Sequence, residues 1–302
     1  PERIARALPA RSDEELLDID GVEPQGLRLR PLPAPDHGLP VRSEATYLIT
    51  GGLGTLGLSF ASWLVEKGAR YLALVGRRPP TDVAAGVIAT LEAAGVRVWT
   101  FAANVADLDA MCGVMATLAE QAPPLAGVSH AAGIATDDPA EALAVKLNGA
   151  QVLHEITAAA APELFLLFSS AAGVWGAKDK EAYAAANAGL DAFAAERRRL
   201  GLPALSIAWG RFTERGLLSV AEDAALAEMG LEAMTPEAAF DLAWRLTGSE
   251  RSQAVIAHVD WPRFRSVYEA RGRRPLLDEL PRPPTLALPR LTPAPLAMES
   301  GG

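Results

Sequence analysis

Thr50-Gly51-Gly52-Leu53-Gly54-Thr55-Leu56-Gly57 follows Ala45-Thr46-Tyr47-Leu48-Ile49, a short apolar run bounded by turn residues. It precedes Leu58 to Gly68, where Leu58, Phe60, Ala61, Leu64 and Val65 suit a helix packed on a sheet. Strand, glycine-rich turn and helix in that order is the context that gives Gly-x-Gly-x-x-Gly, here Gly52, Gly54 and Gly57, its meaning. A pyrophosphate must lie against backbone N–H groups at a helix N-terminus, and a Cβ there would hold it off. The whole run from Thr50 to Gly57 therefore reads as a dinucleotide-phosphate cradle. Taken alone, a glycine-rich turn of another α/β protein would look the same.

Outward from this turn the pattern becomes regular. Strands are expected at 71–75, 96–102, 125–130, 164–168 and 204–208, with helices at 82–94, 108–120, 139–160 and 182–200. A helix at 236–246 and a last strand at 254–259 follow. Nearly continuous apolar strands alternating with helices mean a parallel sheet covered on both faces, a Rossmann-like doubly wound α/β fold. Residues 1–43 read as the remnant of a preceding structural subdomain and a linker, 44–280 as the cofactor-binding catalytic domain, and 281–302 as a Pro-rich linker. A Pro-rich stretch at each end suits a segment of a longer chain.

Composition narrows the class. Half of the 302 residues are hydrophobic, enough for a sizeable core. A formal charge of −9 argues against nucleic acid or an anionic membrane as partner. The single cysteine, Cys112, excludes an internal disulfide and a multi-cysteine metal site, and suits a reducing, cytoplasmic setting. The four histidines show no ligand spacing, so no metal is expected.

The second strand ends Gly76-Arg77-Arg78, with two guanidiniums where many dinucleotide folds carry an acid for the ribose 2′-hydroxyl. That suits a 2′-phosphate, hence NADPH over NADH. A solvated basic turn is the plainer alternative. Asn104-Val105, after the third strand, is placed to border an adenine. His130-Ala131-Ala132-Gly133 ends the fourth, where small residues let a nicotinamide ribose approach. His130 reads as a supporting or core histidine rather than a base.

Phe168-Ser169-Ser170 closes a strand, and Tyr183-Ala184-Ala185-Ala186-Asn187 opens a helix with Tyr183 and Asn187 on one face. Ketone reduction needs a hydride donor, a proton donor and a group that holds the carbonyl oxygen. A tyrosine gives its proton readily when a nearby cation stabilises the phenolate. Lys146 on the preceding helix is the candidate cation. Ser170 is placed to hydrogen-bond the carbonyl oxygen.

These blocks, with Val174-Trp175-Gly176 and Trp209-Gly210, resemble the ketoreductase domain of modular type I polyketide synthases, within the short-chain dehydrogenase/reductase superfamily. The separations Lys146 to Ser170 and Ser170 to Tyr183, 24 and 13 positions, match that family. The resemblance implies that Ser170 and Tyr183 bind a β-keto oxygen, that Tyr183 donates the proton, and that Lys146 and Asn187 complete a relay. It implies a β-ketoacyl chain carried by the phosphopantetheine of an acyl carrier protein, and neighbouring synthase domains. Trp175, eight residues before Tyr183, marks the group whose products are L-β-hydroxy. The loop Thr136-Asp137-Asp138 only approximates the Leu-Asp-Asp of the D-β-hydroxy group. Thr55 replaces a usual glycine, the segment from Gly133 to Lys146 is short, and the family's N-terminal structural half is missing or reduced. A fatty acid synthase ketoreductase, a free-standing short-chain dehydrogenase and an inactive structural half are the alternatives. Free-standing enzymes usually carry lysine where Asn187 stands, and structural halves lose the glycine motif and the tyrosine. The segment 211–232, rich in charge and small residues, is expected to form a mobile lid.

Overall fold

The structure is a computed structural model that describes residues 17–18, 25–33, 35–134, 136, 138–214, 216 and 218–281. The chain divides into two units, one of 1–31 with 272–302 and one of 32–271. In the first, strands β1 (Leu17–Asp18) and β2 (Gln25–Gly26) pair antiparallel, and the Leu29 amide donates to the Leu276 carbonyl at 2.8 Å.

The second unit is built on β3 (Thr46–Thr50), β4 (Tyr71–Gly76), β5 (Arg97–Ala102), β6 (Leu125–His130), β7 (Leu164–Ser170), β8 (Leu205–Trp209) and β10 (Gln253–Ile256). They form one parallel sheet in the order β10-β8-β7-β6-β3-β4-β5. The chain reverses its direction of travel across the sheet between β3 and β6. This is the switch point at which such sheets open a crevice at their carboxyl edge.

Alternation along the strands fills two cores. Tyr47, Ile49, Leu72, Leu74, Leu164, Leu166 and Phe168 join one cluster, while Leu48, Ala73, Val75, Phe165 and Leu167 join the other. The first is covered by α1 (Thr55–Glu66), α2 (Asp82–Ala93) and α9 (Pro236–Leu246). The second lies under α3 (Leu108–Gln121), α5 (Gly149–Thr157) and α7 (Glu181–Arg199). The expected doubly wound fold is the one observed.

Three elements differ from expectation. The helix over 139–160 is α4 (Pro139–Leu143), a π-helical turn at Ala144–Asn148, and then α5, which stops at Thr157. Trp175 stands in a short helix the pattern did not mark, α6 (Ala172–Trp175). The last strand is two: β10 extends the main sheet, whereas β11 (His258–Val259) pairs antiparallel with β9 (Leu231–Glu232). Within 211–232, helix α8 (Val220–Glu228) has a Ser219–Glu222 capping box and no buried residue. Polar ties rather than core burial hold it.

Candidate active site

Thr50, Gly76, His130 and Ser170 are the last residues of β3, β4, β6 and β7, so one edge of the sheet carries them all. The glycine turn fits a phosphate. A Cβ on Gly57 would stand 2.1 Å from the Gly51 carbonyl oxygen, and one on Gly51, whose φ is +70°, would stand 2.6 Å from backbone atoms of Ala131 and Ala132. Helix α1 begins after Gly54 with no side-chain cap and no acid in its first turn, which leaves its N–H groups for an anion. Leu53 lies against Gly76, and Thr55 and Leu56 open the helix. Gly52 lies close under Ile49 and Leu74. Ala132 and Gly133 are half-buried beyond β6, and the Ala131 amide donates to the Thr50 carbonyl at 2.9 Å.

Arg77 and Arg78 are exposed at the end of β4, and Arg77 stands 3.7 Å from the Glu141 carboxylate on α4. A phosphate there would compete with Glu141, a partner that no sequence pattern marks. The Asn104 side chain caps its own turn, accepting from the Ala106 amide at 3.2 Å, and Val105 is buried in the core rather than open to the crevice.

Behind Ser170 the site is buried and polar. The Lys146 ammonium, on the π-helical turn, donates to the Phe168 carbonyl at 2.6 Å, two residues before Ser170. Burial pulls Lys146 down to about 8. Asn187 is fully buried and donates its amide nitrogen to the Tyr183 carbonyl at 2.8 Å. A carbonyl only accepts, so the amide oxygen is the free end, and among the described residues it has no hydrogen-bond partner. The Ser169 hydroxyl donates to the Asn187 carbonyl at 3.1 Å, which ties the end of β7 to α7. Tyr183 is half-buried on the first turn of α7. Ser170 accepts from the Ala172 amide at 3.2 Å and keeps its own hydroxyl proton for another acceptor.

Sequence reasoning missed Asp191, although Tyr183, Asn187 and Asp191 recur every four residues along one helical face. Ser206 and Gln253 donate to its carboxylate at 2.6 and 2.7 Å, and burial raises it to about 6. It also missed two ion pairs to the segment 211–232. Arg211 pairs with Asp223 at 2.5 Å, and Lys180 pairs with Glu222, which this contact and the Ser219 cap hold down to about 2. Trp175 packs on Phe264 of α10 (Trp261–Tyr268), ring centres 5.2 Å apart. Asp138 is the N-cap of α4, accepting from Ala140 at 2.9 Å, while Asp137 lies outside the described residues.

The KR domain family profile matches residues 45–214. The chain belongs to that family, the ketoreductase domains of modular polyketide synthases. This ketoreductase domain is 36% identical over 308 residues to the pikromycin polyketide synthase component PikAIII of Streptomyces venezuelae, covering 97% of the chain and 20% of that protein. It is 35% identical over 302 residues to erythronolide synthase EryA3 of Saccharopolyspora erythraea, covering 97% of the chain and 9% of that protein. A solved A1-type ketoreductase superposes with a TM-score of 0.83 at 38% identity, over 91% of this chain and 60% of that one. The first ketoreductase of the tylosin synthase gives a TM-score of 0.80 at 33% identity, over 93% and 63%. The domain thus spans a small part of its curated relatives and under two thirds of these solved chains. Among the described residues, no helix is long and apolar enough to cross a membrane.

Proposed function

We propose that this domain reduces a β-ketoacyl thioester, held on an acyl carrier protein, to the L-β-hydroxyacyl thioester, with NADPH as cofactor, inside a cytoplasmic polyketide synthase. The observation that carries the reading is the buried Lys146 ammonium bound to the Phe168 carbonyl near the carboxyl end of β7, the strand that ends in Ser170, with Tyr183 on the first turn of α7.

The residues from Thr50 to Gly57 would hold the cofactor's pyrophosphate, Arg77 and Arg78 its 2′-phosphate, Asn104 its adenine side, and Ala131 to Gly133 its nicotinamide ribose, while Val105 supports this edge from the core. When bound, the reduced nicotinamide supplies the hydride. Ser170 and Tyr183 hold the keto oxygen, and Tyr183 gives it a proton as the carbonyl carbon becomes tetrahedral. Lys146 stabilises the phenolate left behind. The open oxygen of Asn187 accepts a hydrogen bond in the path that reprotonates Tyr183.

The L configuration rests on Trp175 and is supported by likeness to chains described as A-type ketoreductases, one at 37% identity. Chiral chromatography of a reduced diffusible β-ketothioester tests it. A predominantly D product would show that the packing of Trp175 on Phe264, not guidance of the chain, is its role. A strong loss of turnover when NADH replaces NADPH is expected, and equal use of both would remove the 2′-phosphate from the account.

A further inference from the structure

His130 ends β6 directly beside Thr50, which ends β3, so the two face each other across the switch point of the sheet. The ring is fully buried. Its Nε2 lies 3.0 Å from the Lys146 carbonyl oxygen, and its Nδ1 lies 2.7 Å from the Thr50 hydroxyl. A carbonyl can only accept, so Nε2 carries the proton and donates. Nδ1 is then bare and accepts from the Thr50 hydroxyl. Burial, and the Lys146 charge nearby, hold the ring down to about 3, so it stays neutral and keeps this tautomer.

The far end of this bridge is unusual. Lys146 sits in a π-helical turn, in which the Gly149 amide reaches back five residues to Ala144. Such single turns arise where something interrupts the regular ladder, and they re-aim the side chains they carry. Gly149 makes the room: a Cβ there would stand 3.0 Å from His130 Cε1 and 2.9 Å from Val105 Cγ1. Lys146 is therefore held at both ends, its carbonyl by His130 and its ammonium by the Phe168 carbonyl.

We propose that His130 is a positioning residue for the reduction, a neutral strut between the Thr50 hydroxyl and the Lys146 carbonyl that sets where the Lys146 ammonium stands. The proposal rests on the relay role given to Lys146 above. It makes the end of the cofactor turn and the relay lysine parts of one hydrogen-bonded chain.

Two substitutions separate the two ends of the strut. In His130→Gln the amide nitrogen falls near the place of Nε2 and can still donate to Lys146. In His130→Asn the shorter amide reaches Thr50 but not Lys146. His130→Asn is expected to lower kcat by about 10- to 100-fold, the scale of a small misplacement in a catalytic array, with the NADPH dissociation constant changed by less than about threefold. His130→Gln is expected to recover most of that loss, whatever its effect on thermal stability. Equal kcat losses in both, or no loss in either, would overturn the proposal, provided that Lys146→Ala abolishes turnover. A Lys146→Ala enzyme with normal kcat would instead overturn the relay itself. Nitrogen chemical shifts of the His130 ring in the unaltered protein give a test that needs no variant. A neutral Nε2–H ring from about pH 5 to about pH 8 is expected, and an Nδ1–H or charged ring in that range would overturn the strut.

Discussion

Two regions of the crevice handle charge in opposite ways. In the interior, Lys146, His130 and Asp191 are all moved toward their neutral forms by burial, to about 8, 3 and 6. Hydrogen bonds to backbone carbonyls and hydroxyls fix their positions. At the rim the charges stay partly in water and meet one another: Arg77 with Glu141 and Lys180 with Glu222. A charge in the interior is costly unless its surroundings hold it in one place, and that makes it a precise instrument for proton transfer. A charge at the rim is cheap and replaceable, which suits recognition of a phosphate and the movement of a lid. The interior should therefore govern kcat and the rim should govern binding.

The largest break in that contrast would come from Tyr183→Phe. It is expected to lower kcat by about 10² to 10⁴ with NADPH affinity nearly intact, the range for losing a positioned acid. Near-normal turnover, read by NADPH oxidation, would refute the mechanism. Next comes pH. Because Lys146 helps only while charged, kcat for reduction should fall as pH rises through about 8, where the buried ammonium loses its proton, rather than near the ordinary lysine value of 10.5. A pH–rate profile flat to about pH 10 would place the relevant cation elsewhere.

At the rim, replacing Arg77 and Arg78 together with uncharged residues should raise the NADPH Michaelis constant by about 10- to 100-fold with little change for NADH, as expected for charge-assisted bonds to a phosphate. Equal effects on both cofactors would return these arginines to the role of a solvated turn. The smallest effect is expected from Glu222→Gln. A partly exposed ion pair contributes about 0.2–1 kcal/mol, so the lid should loosen and KM should change by no more than about fivefold. Amide exchange over α8 is the readout, and unchanged protection would show that other contacts hold the lid.

Most of the fold was legible because the sheet is parallel and covered on both faces. The central strands are nearly continuous apolar runs, while β5 at the sheet edge alternates, and Thr50 to Gly57 marks where β3 meets its helix. The edges of the pattern were harder to read. Ala254 to Val259 looks like one strand, and only tertiary pairing divides it between β8 and β9. The π-helical turn at Lys146 leaves no compositional mark, and the His130 ring that meets its carbonyl is 16 residues away in sequence. The spacing puts Tyr183 and Asn187 on one helical face and Ser170 at a strand end, as they stand in the structure, and Asp191 could have been found on the same face. Glu141 and Glu222 could not, because a surface carboxylate gains its partner only from the way loops return over the crevice.

The central claim is tested most directly by supplying the protein with NADPH and a diffusible β-ketothioester and following both cofactor and product. The account predicts substrate-dependent NADPH oxidation with one β-hydroxythioester formed per cofactor consumed. Protein that binds NADPH yet forms no β-hydroxythioester from any such substrate would contradict it.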